Sequence, residues 1–162
     1  MKEELIKLEI KGIALDKETG LPIVVLQSSD NKHILPLPIG PFEASAIIIE
    51  IEGVQPPRPL THDLLSEFFR KHNFEIYKLV IYDIIQENIM ARIYYRRGIK
   101  NFTMEVRPSD GIAMTIRENA PVYAYKKVLE DSREKEWYVR ENTGAVEEII
   151  FINSPRSETP IM

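Results

Sequence analysis

The chain has 162 residues and a formal net charge of -4 at pH 7, with no cysteine. This length suits one domain with a substantial core, and the lack of cysteine excludes thiol nucleophiles, disulfides and cysteine-bound zinc. The acidic balance argues against a nucleic-acid coat protein, which would spread Lys and Arg over one face.

The first third of the chain has the pattern of β-structure. Apolar and charged residues alternate over 5–15, which indicates a half-buried strand. Turn residues at 16–20 and a second apolar run at 23–26 predict a hairpin. A third strand is predicted over 33–37, and Pro36 favours an edge position because proline cannot donate a ladder hydrogen bond.

Two helices are predicted next, over 42–52 and from 61 to about 73. Gly40-Pro41 opens the first, and Thr61 is a good N-cap for the second. The centre of the first helix is apolar almost all round, which is typical of a buried helix or of one that meets another subunit. From this we predict a homodimer, with burial inside one chain as the alternative.

Three strand-like runs at 74–85, 89–96 and 101–106 then predict an antiparallel meander. Ser109 is placed to cap a third helix over 110–119, and a short strand follows at 122–125. Because strands and helices do not alternate regularly, we predict an α+β domain. Its sheet should be mixed or mainly antiparallel, with about three to four helices packed against it.

The predicted domain covers residues 1–130, and residues 131–162 form a charged extension that we expect to be partly disordered. Val128 and Leu129 could seed a short helix, and 137–139 and 146–152 could add strands. No run of about 18 apolar residues occurs, so we expect a cytoplasmic protein without membrane contact. Abundant Ile, Lys and Glu suggest a thermophilic source as a hypothesis.

Two similar loops stand out where the common cofactor and hydrolase motifs are missing, so no organic cofactor is expected. Each has an arginine, a proline, a hydroxyl residue and an aspartate at a helix start. The first contains Arg58, Thr61, His62 and Asp63, and the second contains Arg107, Ser109 and Asp110. Free backbone N–H groups and the dipole at a helix start favour anions such as phosphate.

These residue types match metal-assisted phosphodiester chemistry. Arginine forks bind phosphate oxygens, and histidine in general exchanges protons near neutral pH. Asp63 and Asp110 are hard oxygen donors of the kind that hold Mg²⁺ or Mn²⁺. The structural alternative is that Thr61 and Ser109 are ordinary caps and that Arg58 and Arg107 pair with the two aspartates. Spacing alone favours this alternative.

Three segments carry a family resemblance: 37–44 (LPIGPFEA), 56–64 (PPRPLTHDL) and 106–113 (VRPSDGIA). In order and spacing they resemble the bifunctional nuclease domain family, over roughly residues 5–129. One departure is Gly111, where alanine is expected. Residues after 130 lie outside the resemblance.

The resemblance implies a nuclease acting on RNA or DNA. Arg58, Arg107, Thr61 and Ser109 would bind phosphate, Asp63 and Asp110 would hold a metal, and His62 would act as general base or acid. Glu43 is a further polar residue of the first segment. The alternative function is a non-catalytic regulatory module that binds an anion or a protein and uses the same loops structurally.

Overall fold

The structure is a computed structural model. It describes residues 3–16 and 19–132, and the backbone of 146–151. Within these residues the strands are β1 (Leu5–Asp16), β2 (Pro22–Ser28), β3 (Ile34–Pro38), β4 (Glu75–Ile85), β5 (Asn88–Arg97), β6 (Lys100–Val106), β7 (Val122–Tyr125) and β8 (Val146–Phe151). The helices are α1 (Pro41–Ile51), α2 (Thr61–Lys71), α3 (Pro108–Glu118) and α4 (Lys126–Ser132).

All eight strands belong to one sheet. Seven follow the order β3-β2-β1-β7-β4-β5-β6, and β8 pairs with β1 on the edge that β1 shares with β7. The pairs are antiparallel except β4 with β7, which run parallel. The prediction of a single α+β domain with a mixed sheet and four packed helices is therefore confirmed.

The predicted hairpin and meander are also confirmed. β1 pairs with β2 through partners such as Ile10 and Leu26, and β4, β5 and β6 pair in chain order. β3 lies at the end of the sheet, where Pro36 faces Val25 of β2. Its position confirms the edge location that the proline predicted.

The helical layer is centred on α3, which packs against β4 and β5 and also contacts α1 and α2. Gly111 permits this approach, because a Cβ added there would lie 2.5 Å from Cδ1 of Leu79 and 3.2 Å from Cγ2 of Val106. Ile112 and Ala113 are fully buried beside it. Gly111, which departs from the expected family pattern, therefore lets α3 pack closely against the sheet.

The two predicted N-caps are wrong. The N-cap of α2 is Leu60, whose backbone N–H donates to the Asp63 carboxylate at 3.0 Å, so Thr61 is already the first helical residue. The N-cap of α3 is Arg107, because Pro108 takes the first helical position for which its fixed φ is suited. Ser109 follows as a buried second residue of the helix.

The apolar centre of α1 is largely used inside the chain. Ala44, Ala46 and Ile47 are buried in the core. Burial inside one chain, the alternative to a subunit contact, therefore accounts for these three residues. The predicted strand 137–139 and the expected disorder at the C-terminal end lie outside the described residues. None of the helices within residues 3–16 and 19–132 is long and apolar enough to span a bilayer.

Candidate functional site

The two arginine loops meet where α2 and α3 begin. Nε2 of His62 lies 3.1 Å from Oδ1 of Asp110, although 48 residues separate them in the chain. The His62 side chain is 16% exposed and that of Asp110 is 30% exposed. The structure therefore joins one residue from each loop in a half-buried hydrogen bond.

Asp110 also binds the arginine of its own loop. Arg107 donates from Nε to Oδ2 at 2.7 Å and from Nη2 to Oδ1 at 3.2 Å. Its Nη1 lies 3.0 Å from Oε1 of Glu43 on α1, and this carboxylate folds so closely over Gly40 that a Cβ there would collide with it. We call Glu43, His62, Arg107 and Asp110 the cavity network.

These four side chains line a cavity of about 630 Å³ that is otherwise mainly apolar. Its apolar wall includes Phe42, Leu60, Leu65 and Met104, and Thr61 also lies on it. A second cavity, of about 690 Å³, shares Glu43 and Arg107 with the first and adds Ser109. Arg107 and Glu43 thus stand between two spaces, each large enough for a small ligand.

The electrostatics of the network favour the ionised forms of Asp110 and Arg107. Burial raises the pKa of Asp110, but hydrogen bonds from Arg107 and His62 outweigh it and hold this pKa below its usual value. The hydrogen bonds to the Asp110 carboxylate, together with the Glu43 carboxylate, raise the pKa of Arg107 further above its usual value. His62 can donate from Nε2 to the Asp110 carboxylate, which leaves Nδ1 as the basic nitrogen.

Asp63 has a different partner. Its Oδ1 accepts a hydrogen bond from Nε of Arg117 at 2.8 Å, and the Arg117 side chain is only 2% exposed. Arg117 also donates to the carbonyl oxygens of Ala113 at 2.9 Å and Ala46 at 3.2 Å. One guanidinium therefore links α1, α2 and α3.

The pKa of Asp63 is lowered as well. Burial raises it, while the Leu60 N–H and the Arg117 guanidinium lower it by a larger combined amount. Because the Asp63 carboxylate satisfies a buried cation and the start of α2, its contacts are those of a structural group.

Arg58 does not join either aspartate. It is exposed and makes no hydrogen bond or ion pair with residues in the described ranges. The expected Arg107–Asp110 pair is present, whereas Asp63 pairs with Arg117, a residue that the motif comparison did not single out. The available signal was a charged residue four positions after Ala113, on the mainly apolar inward face of α3.

The expected shared metal site does not match the geometry. Asp63 and Asp110 bind different arginines and line different cavities. Across residues 3–16 and 19–132 no group of three His, Cys, Asp or Glu side chains is arranged to hold a metal ion. The donors in this part of the chain therefore do not fit a metal held jointly by the two aspartates, and no chemical step is assigned to one.

Comparison with known proteins agrees with the sequence resemblance. The bifunctional nuclease domain matches residues 24–136. This chain belongs to that family. Two uncharacterized proteins of Mycobacterium tuberculosis, from strains CDC 1551 and H37Rv, are each 32% identical to it over 123 residues. The matches cover 76% of this chain and 73% of each relative.

Proposed function

We propose that this family member hydrolyses phosphodiester bonds of RNA or DNA at the cavity network. The observation that carries the proposal is the contact of His62 with Asp110, made where Arg107 also reaches the same carboxylate beside a 630 Å³ cavity. A proton acceptor, its orienting carboxylate and a phosphate-binding guanidinium are the parts that such hydrolysis needs.

His62 is assigned the proton transfer. The Asp110 carboxylate orients the imidazole, so Nδ1 can accept a proton from the attacking water as the new P–O bond forms. The P–O bond to the leaving oxygen breaks, and His62 can return the proton to that oxygen. Within residues 3–16 and 19–132 this Nδ1 has no hydrogen-bond partner. The base is therefore both oriented and free to react.

Arg107 is assigned the phosphate. Its side chain is 66% exposed although it makes two ion pairs, so its outer N–H groups remain accessible to phosphate oxygens. Glu43 and Asp110 together outweigh its single positive charge. A phosphodiester should therefore bind best when its phosphate displaces Glu43 from Arg107.

A second candidate function is a non-catalytic module that binds an anion or a protein. It is supported by the ion pairs of the two loops, because each of their carboxylates is paired with an arginine. Such pairing is expected where charged side chains stabilise the fold. The same cavity would then hold a ligand without chemistry.

Cleavage assays on matched histidine variants separate the two functions. Wild type, His62→Ala and His72→Ala are incubated with single-stranded RNA and DNA, each with Mg²⁺, with Mn²⁺ and with chelator. His72 is an exposed residue at the end of α2 and does not line the cavity. The hydrolase proposal expects His62→Ala to lose about 10²–10⁴-fold in rate at an unchanged melting temperature, with His72→Ala as active as wild type.

Equal cleavage by all three proteins would indicate a contaminating nuclease and reject the assignment. Absence of cleavage by wild type would also reject it and favour the binding module. In that case fluorescence anisotropy with a labelled single-stranded oligonucleotide, comparing wild type with Arg107→Ala, tests whether the arginine binds an anion.

A further inference from the structure

An apolar surface of the helical layer remains uncovered in the described chain. Phe42 is 89% exposed and Phe68 is 53% exposed, which is unusual for phenylalanine. Four further large apolar side chains are exposed with them: Leu60, Leu64, Leu65 and Met104. We call these six residues the α2 face.

The α2 face is continuous. Phe42, Leu60, Leu65 and Met104 line the 630 Å³ cavity together. Leu64 and Phe68 extend the surface along α2, because Leu64 lies four residues after Leu60 and Phe68 four residues after Leu64. One surface therefore combines an apolar hollow with an apolar helix face beside it.

The area of the α2 face corresponds to that of a stable dimer. A phenylalanine side chain can bury about 150–250 Å², so the two rings alone expose roughly 280 Å² at the fractions above. A homodimer of standard size buries about 800 Å² on each partner, of which roughly 65% is apolar. The two rings supply about half of that apolar area, and the four aliphatic side chains supply a comparable amount.

The shape of the α2 face favours a second copy of the same chain as the occupant. Glu67 and Lys71, which border the α2 face, form a neutral pair, whereas Arg107 with Glu43 and Asp110 leaves one negative charge at the cavity of each copy. This single charge is small beside the apolar area of the face, so shape and apolar area decide the occupant. Phe42 projects beside a hollow large enough for a ring. A two-fold contact places the projection of each copy against the hollow of the other.

We propose that this protein is a homodimer whose interface is the α2 face, with Phe42 of each protomer inserted into the other protomer's cavity. The contact surface differs from the centre of α1, where Ala44, Ala46 and Ile47 are buried within one chain. Because the same cavity holds His62 and Asp110, a Phe42 ring inserted there and a substrate bound there exclude each other, so the dimer is the form in which the cavity network is closed to substrate. The inference does not depend on whether that network is catalytic.

The experiment measures the mass of wild type and two charge variants in solution. Phe42→Asp places a carboxylate on the α2 face, and Ile99→Asp makes a similar change at a turn residue that is 98% exposed and outside this face. Both positions are exposed, so neither change should disturb the fold, and circular dichroism checks this. Sedimentation equilibrium is run from about 1 to 100 μM.

Wild type and Ile99→Asp should both show twice the chain mass of 18.8 kDa. Phe42→Asp should raise the dissociation constant by at least about 30-fold, as expected for loss of a central aromatic contact. A wild-type monomer at every concentration would overturn the proposal and leave the α2 face to another occupant, such as residues 152–162. A dimer equally stable in all three proteins would place the interface elsewhere and also overturn it.

Discussion

Asp63 and Asp110 occupy the same position, the third residue of a helix, in two loops of similar sequence, yet their arginine partners differ in exposure. Asp63 binds Arg117, whose side chain is 2% exposed, whereas Asp110 binds Arg107, whose side chain is 66% exposed. Loss of Asp63 would leave a charge inside the protein. Loss of Asp110 would leave a charge that water can solvate.

The two similar motifs therefore have different roles. The Asp63–Arg117 pair joins three helices and is committed to stability. The Asp110 network lies on a cavity and retains accessible donors on Arg107, so it is the part of the molecule where a ligand can compete for existing contacts. Making the same substitution at both aspartates therefore separates effects on stability from effects on function.

The largest stability effect is expected for Asp63→Ala. This change leaves the Arg117 guanidinium buried without its counter-ion and removes the acceptor of the Leu60 N–H. The free energy of unfolding should fall by about 3–5 kcal/mol, as measured by urea titration at pH 7. The exposed Glu67→Ala variant is the control and should change by no more than about 0.5 kcal/mol; a loss below about 1 kcal/mol at Asp63 would contradict the structural role.

A smaller loss is expected for Gly111→Ala, next to Asp110. The added methyl group would meet Leu79 and Val106, so α3 must move away from the sheet or the core must repack. Overpacking of this kind costs about 1–3 kcal/mol. Thermal unfolding compares it with Ser45→Ala at an exposed position of α1. A variant as stable as wild type would show that α3 is not held tightly beneath the cavity network.

Asp110→Ala should cost less than either change. Arg107 stays solvated after the substitution, and exposed pairs contribute about 0–1 kcal/mol. Urea titration beside Asp63→Ala gives the comparison directly. Equal losses at the two positions would mean that the cavity network also serves the fold, which would favour the non-catalytic module.

The smallest effect concerns pH. The folded pKa of both aspartates lies below the usual 3.8, so around and below that value the unfolded chain binds more protons than the folded chain. Their contribution to stability is complete above this value and is lost as the pH falls through it towards the lowered folded pKa. Asp63→Asn should lower stability at pH 7 but weaken its decline from about pH 5 to pH 2. A decline as steep as that of wild type in urea titrations would contradict the lowered pKa.

Much of the architecture was predictable because it depends on local patterns. Apolar patterns and turn residues predicted β1 to β7 and α1 to α3, and they raised α4 and β8 as possibilities. Pro36 marked an edge strand. The helix starts were less predictable, since Pro108 and the Asp63 carboxylate decided them in place of the hydroxyl residues. The parallel pairing of β4 with β7 was not predictable from periodicity, because α3 and the meander separate the two strands in the chain.

The sequence by itself determined the fold class, the family and the aspartates at the two helix starts, since each follows from local patterns and from their order along the chain. Only the tertiary structure decided what those aspartates do. Arg117 lies 54 residues from Asp63, and His62 lies 48 residues from Asp110. Which arginine is buried depends on how three helices pack on the sheet, and burial determines whether an ion pair is held for stability or left accessible to a ligand.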